Sequence, residues 1–181
     1  MSALQCLAII GKANEPLYLK EIPNLKDGSY EKDAEDVFGF TATLGPGQLS
    51  LRKELMIHAC LDSLEEVLNA SNPHHGGGIT KGRTIGDSKW IGLLCPMDEF
   101  YIYGYVTSTN IKILAMVSES IEVNHELYLK TLFSKVHNLF VEYVLNPWSV
   151  LQSRIDSIRF NEGVDAAILE YSEASKEESS D

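Results

Sequence analysis

The sequence predicts an α+β fold in which a five-stranded antiparallel sheet lies between one helix on one face and two helices on the other. Five short apolar segments have the length and composition of strands, and the last three are joined by connections short enough for hairpins. Three longer segments repeat apolar residues at helical spacing. In chain order the elements are strand, strand, helix, three strands and two helices.

The first two strands are predicted at the N-terminus. Residues 4–10 are apolar at nearly every position, which is typical of a strand buried on both faces and therefore internal to its sheet. A turn leads into a second strand over residues 16–22, where Pro16 is acceptable because it opens the strand. Residues 23–48 combine glycine and proline with scattered acidic residues, and they predict a long loop.

The first helix is predicted over residues 49–70. Apolar residues recur along one face at spacings of three and four, and they are Ile57, Leu61, Leu64 and Leu68. Polar residues gather on another face, and they are His58, Asp62, Glu65, Glu66 and Asn69. The apolar face is expected to pack on the sheet. A second long loop is predicted over residues 71–88.

The remaining three strands are predicted close together, at residues 89–95, 100–107 and 111–117. The middle strand alternates tyrosine with apolar residues, and its tyrosines are Tyr101, Tyr103 and Tyr105. Both of its faces therefore need a packing partner, and one helix cannot cover both. The helices that cover the second face of the sheet are expected in the C-terminal part of the chain.

Two helices complete the predicted domain. An amphipathic helix over about residues 125–145 ends at Asn146-Pro147, because the residue before a proline avoids the helical conformation. A last helix is predicted over about residues 151–171, broken or bent near Gly163. Residues 172–181 are predicted to form an acidic, disordered tail.

Composition limits the classes of function. At 181 residues the chain is expected to make a single domain over residues 1–171. Its 15 basic and 26 acidic side chains give a formal net charge of −11, which disfavours nucleic acid and anionic lipid as partners because both are bound through Lys and Arg. No segment approaches the roughly 20 apolar residues that span a bilayer. We therefore expect neither nucleic-acid binding nor a membrane span.

Few residues are candidates for catalysis or metal binding. Cys6, Cys60 and Cys95 lie in apolar segments and share no short spacing, which favours reduced thiols in a cytosolic protein over a disulfide or zinc framework. His74 and His75 lie in a predicted loop without a nearby pattern of Cys, Asp or Glu, so metal binding by the two histidines is the less favoured interpretation. We expect no catalytic residue, no cofactor and no metal.

One segment raises an alternative function in nucleotide binding. GGGITKGRT at residues 76–84 is one substitution from the phosphate-binding pattern G-x-x-x-x-G-K-S/T, with Arg83 in place of lysine. Such a loop needs a strand before it and a helix after it, whereas here a helix is predicted before it and a strand after it. A Gly-rich surface connection is therefore favoured, and a small nucleotide-binding enzyme remains the alternative.

Several segments resemble the sedlin family of small TRAPP subunits. They are LAIIGKANEPLY at the start, HACLD in the first helix, IGLLCPMDEFYIYGYVTSTNIKILAMV across the hairpins and LFSKVHNLFVEYVLNP in the long helix. They cover most of the chain in the family's order, and they are most similar to the sedlin-like paralogue of that complex. Trp148 departs from the family's usual N-P-F, and both long loops exceed their usual length. The resemblance implies a longin-like (SNARE-like) domain.

The resemblance also implies a role in assembly rather than in catalysis. TRAPP complexes tether transport vesicles and activate Rab-family GTPases by nucleotide exchange, and in the family the exchange surface belongs to other subunits. A sedlin-like subunit is expected to bind other small TRAPP subunits and a large peripheral TRAPP subunit, with an indirect link to a Rab GTPase. It is expected to be cytoplasmic, associated with Golgi and early secretory membranes through the complex. Another longin-domain trafficking adaptor is the alternative.

The resemblance places one partner-binding surface on the first helix. Asp62 matches the aspartate of the family's H-A-x-x-D motif, which implies that it is presented to a larger partner. His58, Glu65 and Glu66 lie on the same polar face. The alternative is that Asp62 orients a local hydrogen-bond network within the fold.

A second partner-binding surface is predicted on the long helix. Four apolar residues lie outside its main apolar stripe, and they are Leu127, Tyr128, Leu139 and Val144. One sheet face does not require so much apolar surface, so Tyr128 and Leu139 are candidate contacts with other subunits. The alternative is that the last helix covers these residues.

Overall fold

The computed structural model describes residues 4–22, 51–70, 90–97, 100–118, 123–150 and 153–177. Its elements in chain order are β1 (Leu4–Ile10), β2 (Pro16–Glu21), α1 (Leu51–Ala70), β3 (Trp90–Met97), β4 (Phe100–Val106), β5 (Lys112–Val117), α2 (Val123–Leu145) and α3 (Ile158–Glu177). The predicted loops at 23–48 and 71–88, with the Gly-rich segment and both loop histidines, lie outside the described residues. Residues 178–181 of the predicted tail also lie outside them.

The five strands form one antiparallel sheet in the order β2-β1-β5-β4-β3. In the middle of β1, Ala8 lies opposite Leu19 of β2 and Leu114 of β5. Every residue of β1 is buried, which confirms the prediction that this strand is internal to the sheet. The α+β class and the number of strands are also confirmed.

The helices cover the two faces of the sheet unequally. On one face α1 packs through a single apolar stripe, which consists of Ile57, Cys60, Leu61 and Leu64. On the other face α2 and α3 pack side by side, and the tyrosines Tyr103 and Tyr105 of β4 point toward them. The arrangement of one helix against two is therefore confirmed. Each fully buried aliphatic or aromatic side chain in these two cores contributes about 1.5–3 kcal/mol through removal of apolar surface from water.

The last helix begins later and ends later than the sequence predicts. It starts at Ile158 rather than near 151, and in the segment before it the Ile155 N–H donates a hydrogen bond to the Leu17 carbonyl of β2, at 2.8 Å. The Ser157 hydroxyl then accepts from the Phe160 N–H at 3.4 Å, as an N-cap residue does. The helix ends at Glu177, so the first six residues of the predicted tail are helical.

The sequence predicts a break or a bend in α3 near Gly163, and the break does not occur, since the helix runs without interruption from Ile158 to Glu177. Gly163 lies where α3 crosses α2, and a Cβ at this position would come within 2.7 Å of a methyl group of Leu139. The glycine therefore allows a close approach of the two helices. Its cost in helix propensity, about 1 kcal/mol relative to alanine, is offset by packing.

The edge strand β3 contains two irregularities that set the directions of its side chains. Its register against β4 shifts between Trp90 and Gly92 and again between Leu93 and Cys95, and Gly92 has a φ of 91° that favours glycine. Because the second bulge interrupts the usual alternation, Leu94 and Cys95 both pack in the core beneath α1. The sequence prediction of a plain hairpin strand did not include these bulges.

Candidate partner-binding surfaces

The outward face of α1 carries three of the residues predicted to bind a partner. His58, Asp62 and Glu66 are all exposed, and we call this set the α1 surface. They recur at spacings of four, so they share one side of the helix, opposite the buried stripe. Asp62 makes no hydrogen bond or ion pair with any residue that the structure describes. Its side chain is exposed.

Glu65 has a different environment from its neighbours on α1. Its Oε1 accepts a hydrogen bond from Asn14 Nδ2 at 2.9 Å and lies 3.4 Å from the Lys112 ammonium group. The Asn14 side chain oxygen accepts a further hydrogen bond from Lys112. Hydrogen bonds from Asn14 and then Lys112 hold the pKa of the Glu65 carboxyl below its usual value. A local hydrogen-bond network of the kind considered for Asp62 therefore exists on α1, and the residue that takes part in it is Glu65.

Local conformation explains why these three residues meet. Asn14 adopts a left-handed conformation, φ 63°, in the turn between β1 and β2, a conformation that asparagine tolerates better than most residues. Lys112 opens β5, with only 2% of its side chain exposed. The β1–β2 turn, the start of β5 and the second half of α1 therefore meet at one polar cluster, which consists of Asn14, Glu65 and Lys112.

The predicted surface on α2 is mostly engaged within the chain. Tyr128, Leu139 and Val144 are partly buried against the core between the sheet and the two helices. Leu139 fills the space left by Gly163 of α3, which supports the alternative that the last helix covers it. Leu127 is the member of the set that remains open, with 65% of its surface exposed.

More exposed apolar residues lie at the end of α2 and directly after it, and they were missed in the sequence. They are Leu145, Trp148 and Val150, and we call this set the Trp148 patch; Trp148 itself is 89% exposed. Val150 also lines a mainly apolar cavity of about 380 Å³, together with Phe140 and Ile155. The signal available in the sequence was the apolar content of a segment placed directly after the helix-ending Asn146-Pro147.

An aromatic cluster attaches the edge strand β3 to α2. The Trp90 indole N–H donates to the Glu126 carboxylate at 2.7 Å, while the Lys130 ammonium lies 5.3 Å from the centre of the Trp90 ring. Trp90 also packs against Tyr103 and Phe133. These contacts stabilise the sheet edge, and they engage the side chains of Glu126 and Lys130 on α2.

Metal binding and membrane insertion find no support in the described part of the chain. Within the ranges given above, His, Cys, Asp and Glu side chains do not gather in sets of three or more that could ligate a metal ion. None of the described helices combines the length and the apolar composition that crossing a bilayer requires.

These features define the class of protein. The chain has a longin-like α+β fold, with a five-stranded antiparallel sheet, one helix on one face and two on the other, and it exposes side chains suited to protein contact. The sequence model of the family described as Sedlin matches residues 9–169. The chain belongs to the sedlin family, and the predicted resemblance is confirmed.

Relatives from distant organisms match over nearly their whole length. A trafficking protein particle complex subunit 2-like protein from Bos taurus is 25% identical over 167 residues, which cover 91% of this chain and 96% of the relative. The Dictyostelium discoideum protein of the same name is 23% identical over 160 residues, covering 88% and 92%. Trafficking protein particle complex subunit 20 from Saccharomyces cerevisiae is 26% identical over 180 residues, covering 88% and 93%.

Proposed function

We propose that this chain is a non-catalytic small subunit of a TRAPP complex, which couples the core of the complex to a large peripheral subunit in ER-to-Golgi and Golgi transport. The observation that carries the proposal is the match to the sedlin family over residues 9–169. Relatives named as subunits of the trafficking protein particle complex align with nearly the whole chain, which supports the same role. The link to a Rab GTPase is indirect and runs through other subunits.

The α1 surface is the proposed contact with the large subunit. Two exposed carboxylates, Asp62 and Glu66, lie one helical turn apart beside His58. Such a surface favours a partner that presents Lys, Arg or backbone N–H groups, since complementary charge sets the specificity and the rate of association. Glu65 helps to hold the helix that carries this surface, because its carboxylate bonds to Asn14 of the β1–β2 turn.

The Trp148 patch is the proposed contact with another small subunit. Three exposed apolar side chains lie close together in the chain, and one of them, Val150, lines an apolar cavity. Tryptophan is also the residue type most enriched among interface residues that dominate binding energy. Tyr128 and Leu139 contribute indirectly by holding α2 in place. The protein associates with Golgi and early secretory membranes through these contacts.

An affinity pull-down from cell extract tests the proposal on the full chain. The native protein is expected to recover small TRAPP subunits and a large peripheral subunit. Asp62→Tyr is expected to lose the large subunit and keep the small ones, with an unfolding midpoint within about 2 °C of the native value, because the side chain is exposed.

Glu173→Tyr provides the matched control, since Glu173 is an exposed carboxylate on α3, on the opposite side of the sheet. It is expected to recover the same proteins as the native chain. Equal recovery of the large subunit by Asp62→Tyr and Glu173→Tyr would remove the α1 surface from the proposal. Recovery of no TRAPP subunit by the native protein would overturn the proposed function.

A further inference from the structure

Two of the three cysteines come into contact although they are 35 residues apart in sequence. The Sγ atoms of Cys60 on α1 and Cys95 on β3 are 2.7 Å apart, and both residues carry free thiols. A disulfide has a sulfur–sulfur distance of about 2.05 Å, so a further approach of about 0.7 Å would place the two atoms at bonding distance. The sequence, in which the cysteines share no short spacing, gave no sign of this contact.

The fold holds both sulfur atoms in these positions. Cys60 is fully buried in the apolar stripe of α1, between Ile57 and Leu64. Cys95 points toward α1 because of the bulge between Leu93 and Cys95, which places it opposite Ile102 of β4. Without that bulge, alternation along the strand would direct Cys95 away from α1. A helix and an edge strand are thus positioned for a covalent link.

We propose that Cys60 and Cys95 form a reversible intramolecular disulfide when the protein meets a hydroperoxide. Cys95 reacts first, because it is partly exposed while Cys60 is fully buried. Burial also raises the pKa of the Cys60 thiol, so Cys60 remains protonated at neutral pH and is a poor first nucleophile.

The reaction proceeds in two steps. The Cys95 thiol first loses its proton to water, and the thiolate attacks one peroxide oxygen as the O–O bond breaks. Cys95 becomes a sulfenic acid, and the other oxygen takes up a proton from water and leaves as water with hydrogen peroxide, or as an alcohol with an organic hydroperoxide. The Cys60 sulfur then attacks the Cys95 sulfur, the S–O bond breaks, and the hydroxyl group leaves as water with the Cys60 proton. Two electrons pass from the two sulfur atoms to the peroxide. A dithiol reductant reverses the change by thiol–disulfide exchange.

Cys6 provides an internal control in the same molecule. It is fully buried on β1, in the same core as Cys60 and Cys95, and burial raises the pKa of its thiol to about 12. Of the three cysteines, only Cys60 and Cys95 are in sulfur–sulfur contact. Peroxide is therefore expected to protect Cys60 and Cys95 from alkylation, while Cys6 reacts once the protein is unfolded.

Peptide mapping of the full chain tests the proposal. The reduced protein is treated with hydrogen peroxide, unfolded, alkylated with N-ethylmaleimide and digested. The expected product is one peptide pair joined through Cys60 and Cys95, two mass units lighter than the sum of the reduced peptides and absent after dithiothreitol. Three alkylated cysteines, a bond that includes Cys6, or only a disulfide between two copies of the chain would overturn the proposal.

Two variants and a stability measurement separate the steps. Cys60→Ala is expected to stop at a Cys95 sulfenic acid that dimedone labels, and Cys95→Ser is expected to give no linked peptide. Because the bond closes a 35-residue loop, oxidation should raise the unfolding midpoint of the native chain by roughly 5–15 °C and leave that of Cys95→Ser unchanged. A midpoint that falls on oxidation would show that the fold opposes the bond. If Cys60→Ala does not fold, the peptide map of the native chain still decides the question.

Discussion

Lys112 is the largest charged side chain fully buried among the described residues, and its partners explain how the fold tolerates it. A buried ammonium group is costly unless hydrogen bonds and an opposite charge replace its water. Asn14 and Glu65 supply both, from a turn and from a helix. At the scale of single residues, this polar cluster ties α1 to the end of the sheet and sets the orientation of the α1 surface.

Asn14 is expected to contribute to stability in two separable ways. Asn14→Ala should lower the free energy of unfolding by about 2–4 kcal/mol, because it removes a hydrogen bond to a buried charge and places alanine in a left-handed conformation. Asn14→Gly should recover the conformational part, about 1 kcal/mol or more, but not the hydrogen-bond part. Urea unfolding of the three proteins measures both differences. Equal stability of the alanine and glycine variants would contradict the conformational contribution.

Which residues of α1 are exposed could be predicted from the sequence, whereas the contacts of Glu65 could not. Helical spacing alone places Asp62 and Glu66 on the face opposite the buried stripe. The role of Glu65 depends on a left-handed turn residue and on a lysine 47 positions away, neither of which periodicity can detect. The contact between Cys60 and Cys95 escaped prediction for a similar reason, since a bulge in β3 decides it.

At the scale of elements, the packing of α3 against α2 depends on a residue without a side chain. Gly163→Val should lower the free energy of unfolding by about 1–3 kcal/mol, because the new side chain would meet Leu139 across the helix contact. Ala166→Val is the matched control in the same helix, since Ala166 is exposed. It should cost no more than the difference in helix propensity, about 0.5 kcal/mol. Similar losses in both variants, measured by thermal unfolding, would contradict the packing role.

The order and type of the elements followed from the sequence, but some boundaries did not. Strand and helix periodicity identified the eight elements in the described part of the chain, and Asn146-Pro147 correctly marked the end of α2. The start of α3 was placed too early because residues 153–157 are not helical; there the Ile155 N–H bonds to the Leu17 carbonyl of β2, a contact between residues far apart in sequence. Gly163 was expected to break or bend the helix, and the break does not occur. The prediction considered helix propensity without the side chain of Leu139, which packs against this glycine.

At the scale of the whole molecule, the proposed contacts lie on separate parts of the surface. Trp148→Ser should reduce the recovery of small TRAPP subunits at least several-fold while leaving the unfolding midpoint within about 2 °C, because the native side chain is almost wholly exposed. Leu169→Ser on α3 is the matched control, since it removes another exposed apolar side chain. A quantitative pull-down compares them. Equal recovery with both variants would show that the Trp148 patch is not the contact.

The strand order also has a consequence for synthesis on the ribosome. β1 pairs with β2, its neighbour in sequence, and with β5, which is made about a hundred residues later. At translation rates of roughly 5–20 residues per second, the N-terminal hairpin is complete for about 5–20 s before its second partner exists. During that interval the β1 edge that later pairs with β5 exposes unpaired backbone groups and apolar side chains. We therefore expect the nascent chain to be most open to non-native strand pairing before β5 has been synthesised.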